Sequence, residues 1–423
     1  MSGRFGLIGE RLGHSFSPRI HREIGGYDYD LIELKPEEVG SFLKKGDFRG
    51  LNVTIPYKQT VMPFLDRIST EAERIGSVNT IVRETDGRLL GYNTDYSGFR
   101  GLLSRGGLRP EGQKCLVLGS GGASKTAAAC LRDLGAREVR VISRSGEDNY
   151  GNLHLHRDAG LLVNATPVGM YPGNGEAPLN LTELPQLQGC ADMIYNPART
   201  ALMLQAGRLG IPWINGLYML TEQARKACEL FLRREIDPEE TERVTGILAA
   251  ETANIVLIGM PGCGKTTVGR LLAEKTGRKL IDTDAMIEEK AGIPCGEIIR
   301  TRGEEAFRRM ETEAAAEAGK ASGVLLATGG GIVTREENRD PLRQNGLLFH
   351  LIRGMDERTI EPGRPLSDSR EKWMRLAEKR MPLYESWRDC GIENGDPEAA
   401  AEEILKKLKE LAPGLNGLRT AKS

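Results

Sequence analysis

Gly259-Met260-Pro261-Gly262-Cys263-Gly264-Lys265-Thr266-Thr267 follows the apolar run Ile255–Ile258 and precedes the helical pattern Val268–Lys275. The stretch satisfies GxxxxGK[ST] between a strand and a helix, the context in which that pattern forms a phosphate-binding loop. Its glycines let backbone N–H groups curl around phosphate oxygens, and the helix N-terminus adds a positive dipole. Lys265 is expected to reach the β- and γ-phosphates of a nucleotide, and the Thr266 hydroxyl to bind Mg²⁺. Gly262, Cys263, Gly264 and Thr267 complete the expected contacts with ATP. A chance glycine turn is the alternative, and the flanking strand and helix argue against it.

Outward from this loop, short apolar strands alternate with helical patterns over the whole chain. Phe5–Ile8, Leu31–Leu34, Leu116–Leu118, Val139–Ile142, Leu161–Asn164, Met193–Tyr195, Ile255–Ile258, Val324–Ala327 and Leu347–Leu351 are the expected strands. Strands spaced by helices imply βαβ units, mainly parallel sheets and an α/β fold. The 423 residues allow two to four domains at ~100–200 residues each. Lys and Arg total 58 against 59 Asp and Glu, so no global field favours nucleic acid or a membrane surface, and anions must be held by local sites. Seven scattered cysteines without a CxxC spacing, and only five His, argue against a zinc site and suit a reducing cytoplasm. No run approaches the ~18 apolar residues of a membrane span.

Downstream of the phosphate loop come Asp282-Thr283-Asp284, then Gly303-Glu304-Glu305-Ala306-Phe307-Arg308-Arg309. Ala327-Thr328-Gly329-Gly330-Gly331, Gly363-Arg364-Pro365-Leu366 and Arg380-Met381-Pro382-Leu383-Tyr384 follow. In this order the stations resemble the shikimate kinase family over Asn254 to about Leu411. The resemblance implies that Asp284 and Gly329, Gly330 and Gly331 bind substrate hydroxyls. It implies that Arg308 and Arg380 clamp the substrate carboxylate, and that Arg364 reaches both the transferring phosphoryl group and the substrate. Arg358 is a weaker candidate for an ATP contact. Phosphoryl transfer consists mainly of positioning and charge neutralisation, which a ring of Arg with Lys and Mg²⁺ supplies. Asp284 can orient the acceptor hydroxyl or take its proton, and Asp282 can hold Mg²⁺ through water. Any one of these arginines alone would read as a solvated surface charge. Cys263, at a helix N-terminus beside Lys265, is in a setting that lowers thiol pKa, so thiol reagents are expected to inactivate the loop, with ATP protecting.

In the first half, Gly13-His14-Ser15-Phe16-Ser17-Pro18 opens a helix. Ser15 and Ser17 suit a polyhydroxylated or anionic ligand, although Ser17 before Pro18 by itself reads as a helix cap. Asn52-Val53-Thr54-Ile55-Pro56-Tyr57-Lys58, Gly76-Ser77-Val78-Asn79-Thr80 and Gly91-Tyr92-Asn93-Thr94-Asp95 follow. Next comes Gly119-Ser120-Gly121-Gly122-Ala123 after a strand, a variant of the dinucleotide fingerprint and weak alone. Gly216–Ala224 closes the series. Together these resemble shikimate dehydrogenases over about residues 3–235. The resemblance assigns substrate contacts to Ser15, Ser17, Asn79, Thr94, Asp95 and Gln223, with Thr54 and Tyr195 nearby, and catalysis to Lys58 and Asp95. A Lys beside a carboxylate can supply the proton that ketone reduction needs, and the sequence leaves open which of the two donates it. Gly119, Gly121, Gly122 and Ala123 would hold the dinucleotide.

Val141-Ile142-Ser143-Arg144-Ser145 resembles the family's NADP-binding turn but begins with Ser and lacks its second basic residue, and Glu147-Asp148 follows. An acid at the turn would favour the 2′-hydroxyl of NAD. Ser143, Arg144 and Ser145 instead point to NADP(H), with a weakened preference. Between Arg144 and Asn164 there is no room for the additional helix and strand usual in that family, so the Rossmann half is expected to be trimmed.

The expected organisation is an α/β substrate domain (1–100, with a returning helix at 216–235) and a Rossmann NADP-binding domain (101–235). A linker (236–253), charged and then alanine-rich with no packing stripe, leads to a P-loop α/β kinase domain (254–411) with a parallel sheet and a disordered tail (412–423). The expected chemistry is reduction of 3-dehydroshikimate to shikimate with NADPH, then phosphorylation of shikimate by ATP with Mg²⁺. The partners are small molecules, with no nucleic acid or membrane, and a homo-oligomer is left open. A quinate-using dehydrogenase fused to a related kinase, or a regulator built from decayed enzyme domains, would be the rival readings.

Overall fold

The computed structural model describes residues 4–13, 15–354 and 369–417. Strands β1 (Arg4–Gly9), β2 (Tyr29–Glu33), β3 (Phe48–Val53), β4 (Arg67–Ile68), β5 (Thr80–Arg83) and β6 (Leu89–Tyr92) form one sheet in the order β2-β1-β3-β5-β6-β4. β1 is parallel to β2 and β3, whereas β5 is antiparallel to β3 and β6. Helices α1 (Ser17–Gly25), α2 (Val39–Lys45) and α3 (Thr70–Ile75) connect these strands, and α4 (Thr94–Arg105) leaves the sheet. Ile8, Leu51, Val53, Tyr57 and Ile81 fill the core beneath it.

A second sheet is wholly parallel, in the order β11-β10-β9-β7-β8. Its strands are β7 (Lys114–Leu118), β8 (Glu138–Ile142), β9 (Leu161–Asn164), β10 (Gly189–Asp192) and β11 (Trp213–Ile214), with α5 (Gly122–Asp133) after β7 and α6 (Ala201–Arg208) before β11. β7 and β9 are buried throughout, as expected for central parallel strands with both faces covered. The strand expected at Met193–Tyr195 lies earlier. β10 is built from Gly189, Cys190, Ala191 and Asp192, small or polar residues of modest β-propensity that burial between β9 and β11 holds in place. Between β8 and β9 there is only a 3-10 stretch, Tyr150–His156. Helix α7 (Leu217–Leu232) then returns to pack on α4 and α1.

The segment expected as a linker is largely helical: α8 spans Glu239–Thr252. Its buried face mixes Val244, Leu248 and Ala249 with Thr241 and Thr245, which interrupts the apolar stripe in the sequence. Arg225 of α7, 4% exposed, grips Glu222 through two nitrogens at 2.9 and 2.7 Å. The same guanidinium donates to Glu229 Oε1 (2.6 Å), to the Ile236 carbonyl (2.7 Å) and to Thr241 Oγ1 (3.1 Å). Thr241 donates to Glu222, and the Thr245 hydroxyl meets that of Thr221. A buried charge is tolerable when its donors are all satisfied, and this one ties α7 to the start of α8.

The third sheet is also parallel throughout, in the order β13-β14-β12-β15-β16. It comprises β12 (Asn254–Ile258), β13 (Leu280–Asp282), β14 (Leu325–Ala327), β15 (Gly346–Ile352) and β16 (Cys390–Glu393). Around it lie α9 (Lys265–Thr276), α10 (Thr283–Ala291), α11 (Cys295–Arg302), α12 (Glu304–Ala318), α13 (Arg339–Arg343), α14 (Arg370–Trp387) and α15 (Pro397–Leu411). Val256, Ile258, Leu326, Leu348, Tyr384 and Trp387 form its core. The tail expected to be disordered is ordered at its start. Ala412–Asn416 make a 3-10 turn that buries Ala412, Leu415 and Asn416, and residues 418–423 lie outside the described residues.

The chain forms two compact units. The first takes the described residues to Pro167, Pro178–Ile194 and Gln205–Ile247; the second takes Val168–Ala177, Tyr195–Leu204 and the described residues from Leu248 onward. Within the second unit Arg199 is buried, with its guanidinium on the carbonyls of Arg343 (2.8 Å) and Gly346 (2.6 Å) and its backbone N–H on that of Gln344. Burial brings its pKa down to about 10. No described helix is long and apolar enough to cross a membrane.

The polar fastening of α8 has a measurable consequence. Arg225→Ala leaves Glu222 buried without its cation, while Glu229 keeps Lys226, and should destabilise the first unit by about 3–5 kcal/mol. Urea denaturation followed by far-UV circular dichroism checks this, and a loss below about 1 kcal/mol would contradict it.

Candidate active sites

In the first unit, Lys58 Nζ lies 2.6 Å from Asp95 Oδ2, with side chains 25% and 15% exposed. That burial distinguishes the pair from an ordinary surface ion pair. Asp95 stands in the first turn of α4, whose Asn93 cap accepts from Tyr96 N at 3.2 Å. Asn79 reinforces the same helix start, its Oδ1 accepting from Thr94 N at 2.7 Å. Asn79 Nδ2 donates to Thr94 Oγ1 (3.1 Å), which approaches Gln223 Oε1 at 3.4 Å. Asn79, Thr94, Asp95 and Gln223, far apart in sequence, therefore occupy one neighbourhood. Ser15 and Ser17 meet at the start of α1, their hydroxyls 3.1 Å apart, and Ser15 Oγ accepts from Ser17 N. No side chain caps α1, so Ser17 is its first residue rather than its cap. Thr54 follows β3, with its N–H on the Ile8 carbonyl. Tyr195 belongs to the second unit, half-buried, with its phenol pKa raised by burial.

The dinucleotide turn joins β7 to α5. Gly119 has φ +104°, and a Cβ there would meet the Ala165 carbonyl at 3.0 Å. Glycine is required on both counts. Gly121 precedes α5, Gly122 and Ala123 begin it, and no side chain caps it. Arg144 and Ser145 are exposed and Ser143 is half-buried. Among the described residues Arg144 has no ion-pair partner. The nearby Asp148 is engaged by His156 Nε2 (3.0 Å) and Arg140 (3.5 Å).

In the second unit Lys265 is the first residue of α9, and its Nζ folds back onto the carbonyls of Gly259 (2.8 Å) and Met260 (3.0 Å). Gly262, Cys263 and Gly264 form the preceding turn, and Thr267 is exposed on the first turn of α9. Thr266 Oγ1 donates to Asp282 Oδ2 at 3.1 Å. The other carboxylate oxygen of Asp282, Oδ1, caps α10 by accepting from Asp284 N at 3.0 Å. A cavity of about 380 Å³ opens beside this loop, lined by Thr266, Asp282, Asp284, Arg308, Gly329–Gly331 and Arg380. A Cβ on Gly329 would stand 2.6 Å from both Asp284 Oδ1 and Glu311 Oε1, so only glycine lets those two carboxylates approach. Arg380 and Tyr384 hold this loop by donating to the Gly330 carbonyl. Arg364 and Arg358 lie outside the described residues.

Four residues of this site are not legible in the sequence. Glu311 is fully buried and pairs with Arg308 Nη1 at 2.7 Å. Burial pushes its carboxyl pKa up, against the pull of Arg308. A glutamate three positions after Arg308 on one helix is the available signal. Thr283 Oγ1 accepts from Gly329 N. Asn394 Nδ2 donates to the Cys263 carbonyl at 2.6 Å, and Trp373 Nε1 to that of Pro261 at 3.2 Å. These last two brace the phosphate loop from elements more than 100 positions away, beyond the reach of any local pattern.

Comparison with known proteins follows the same division. Residues 7–81 match the family model of the shikimate dehydrogenase substrate binding domain, and residues 261–409 that of shikimate kinase. A shikimate dehydrogenase (NADP(+)) of Clostridium perfringens is 37% identical over 261 residues, 57% of this chain and 96% of its own length. The chain belongs to the shikimate dehydrogenase family. Among solved structures, a chorismate mutase/shikimate 5-dehydrogenase fusion protein from Clostridium acetobutylicum is similar with a TM-score of 0.56 and 36% identity, over 59% of this chain and 97% of that one. The shikimate 5-dehydrogenase of Thermus thermophilus in complex with NADP(H) and shikimate gives a TM-score of 0.52 at 33% identity, over 58% and 98%. The family relationship thus covers the dehydrogenase half, and the kinase match begins inside the phosphate loop.

The expectation for Cys263 changes with the geometry. Its side chain is 2% exposed, with Sγ 3.7 Å from Lys265 Nζ, whereas a reactive thiol must be accessible. Maleimide labelling of the native protein, mapped by peptide mass, should therefore modify the half-exposed Cys295 or Cys390 before Cys263. Preferential labelling of Cys263 would show that the loop opens in solution.

Proposed function

We propose that one chain catalyses two consecutive steps: NADPH-dependent reduction of 3-dehydroshikimate to shikimate, then transfer of the γ-phosphoryl group of ATP to the shikimate 3-hydroxyl. The observation that carries this reading is the presence, in one chain, of the 2.6 Å Lys58–Asp95 pair and of a phosphate loop beside an Arg-lined cavity. In the first reaction NADPH supplies hydride to the carbonyl carbon. The Lys58–Asp95 pair supplies the proton to the ketone oxygen and is reset from solvent. Asn79, Thr94, Gln223, Ser15 and Ser17 hold the hydroxyls and carboxylate, with Thr54 completing the set.

In the second reaction Asp284 takes the proton of the attacking hydroxyl, while Arg308 and Arg380 bind the substrate carboxylate and Gly329–Gly331 the ring hydroxyls. Lys265 leaves its loop carbonyls for the phosphate oxygens, and Arg364, by the family resemblance, neutralises charge on the transferred group. ADP departs as the hydroxyl oxygen bonds phosphorus. Thr266 and Asp282, already 3.1 Å apart, would hold Mg²⁺, which neutralises charge on the phosphates when bound. A cytoplasmic location suits the seven cysteines, free among the described residues.

Incubation of the pure protein with 3-dehydroshikimate, NADPH, ATP and Mg²⁺ should yield shikimate 3-phosphate, with quinate tested in parallel. Lys265→Ala should abolish phosphorylation and spare reduction, and Lys58→Ala should do the reverse. Loss of both activities in either folded variant would contradict independent sites. For the cofactor, exposed Arg144 can pair with a 2′-phosphate, and Asp148 is already engaged by Arg140 and His156. A charge-assisted hydrogen bond worth ~1.5–3 kcal/mol gives NADPH a preference on the order of tens-fold. Arg144→Ala should erase most of it in kcat/KM, and equal use of NADH by the unaltered protein would overturn the assignment.

A further inference from the structure

Thr80, which is fully buried, stands at the centre of a polar chain that runs from the sheet into the dehydrogenase site. Its Oγ1 lies 3.0 Å from Asn52 Nδ2, 3.1 Å from Asn79 Oδ1 and 3.1 Å from Thr94 Oγ1. Asn52 is bonded in turn by the Tyr29 hydroxyl at 2.6 Å. Thr94 passes the chain to Gln223 at 3.4 Å. Tyr29, Asn52, Asn79, Thr80 and Thr94 are all buried.

The direction of each bond follows from backbone groups whose polarity is fixed. Thr94 N–H faces Asn79 at 2.7 Å, so the carboxamide atom there is oxygen. The Leu220 carbonyl faces Gln223 at 3.0 Å, so the atom there is nitrogen. The Asn79 carbonyl lies 3.3 Å from Asn52, so Asn52 turns its NH₂ inward and its oxygen to Tyr29, which must donate. Thr80 therefore receives a proton from Asn52 and has one to give, to Asn79 Oδ1 or Thr94 Oγ1. With Asn79 Oδ1 occupied from inside the protein, its NH₂ keeps one proton beyond the bond to Thr94. Gln223 likewise keeps one beyond the bond to Leu220.

We propose that Thr80 is a positioning residue of the dehydrogenase. The chain from Tyr29 through Asn52 and Thr80 adds to the Thr94 N–H in holding Asn79 and, through Thr94 Oγ1, to the Leu220 carbonyl in holding Gln223, so that both carboxamides offer N–H donors, not carbonyls, to oxygen atoms of the substrate. This rests on the reading of Asn79, Thr94 and Gln223 as substrate contacts. Thr80 makes no substrate contact itself, and its effect acts through Asn79 and Thr94. A carboxamide free to flip would present the wrong group part of the time and would bind a hydroxyl or ketone less well.

The test is steady-state kinetics of shikimate oxidation by the full chain. Thr80→Val keeps the shape and removes the hydroxyl. It should raise KM for shikimate about tenfold, leave KM for NADP⁺ within about twofold, and leave kinase turnover unchanged. Thr80→Ser should restore KM, which a loss of packing alone would not predict. Tyr29→Phe, at the far end of the chain, provides the check if Thr80→Val does not fold, and should raise KM about threefold. An unchanged KM for shikimate in a folded Thr80→Val or Tyr29→Phe variant would overturn the proposal. Gln223→Ala separates the two levels. If it raises KM and Thr80→Val does not, only the positioning role fails. If neither moves KM, the substrate assignment of the cluster fails with it.

Discussion

The first four N–H groups of an α-helix have no partner within the helix, and this chain uses that deficit in two opposite ways. At α4 and α10 side chains meet the need: Asn93 and Asn79 serve α4, and Asp282 serves α10. With part of that need met by side chains, these helices present carboxylates, Asp95 and Asp284, from the first turn. At α5 and α9 glycine stands at the cap, and no side chain answers the N–H groups. Those two starts remain open to phosphate oxygens. Each proposed site therefore combines one capped helix start with one uncapped start, and both kinds follow a strand.

This division explains what a single sequence discloses. An uncapped start of this kind needs closely spaced glycines, so Gly119–Ala123 and Gly259–Thr267 can be read without a structure. A capped start leaves no such run: at α4 one of the serving oxygens, that of Asn79, comes from 15 positions before Thr94. Glu311 escapes sequence reasoning for a related reason. Acids are common on helix surfaces, and only burial against Arg308 and Gly329 singles this one out. The strand at 189–192 is misplaced by apolar patterning because small residues carry weak β-propensity and rely on neighbours for burial.

The segment 236–253 shows the limit of hydrophobic patterning. Helices are read by apolar periodicity, yet on the buried face of α8 Thr241 and Thr245 stand among Val244, Leu248 and Ala249, and the guanidinium of Arg225 bonds Thr241 and the Ile236 carbonyl. In the second unit the buried Arg199 likewise rests on backbone carbonyls. In both places a cation with many donors works beside apolar side chains, and it specifies direction as well as contact. Such fastening reads in sequence as an ordinary charged stretch.

With the shortened connection after it, β8 lies at the rim of its sheet, paired among the described residues with β7 alone. An edge strand is an open template for another chain's backbone. β8 is short and carries the ion pair Arg140–Glu138, with Arg140 also reaching Asp148. Another strand docking there would have to desolvate these charges. The same trimming that economises on a helix is thus accompanied by a charged border, which disfavours edge-to-edge aggregation of the protein during synthesis and storage.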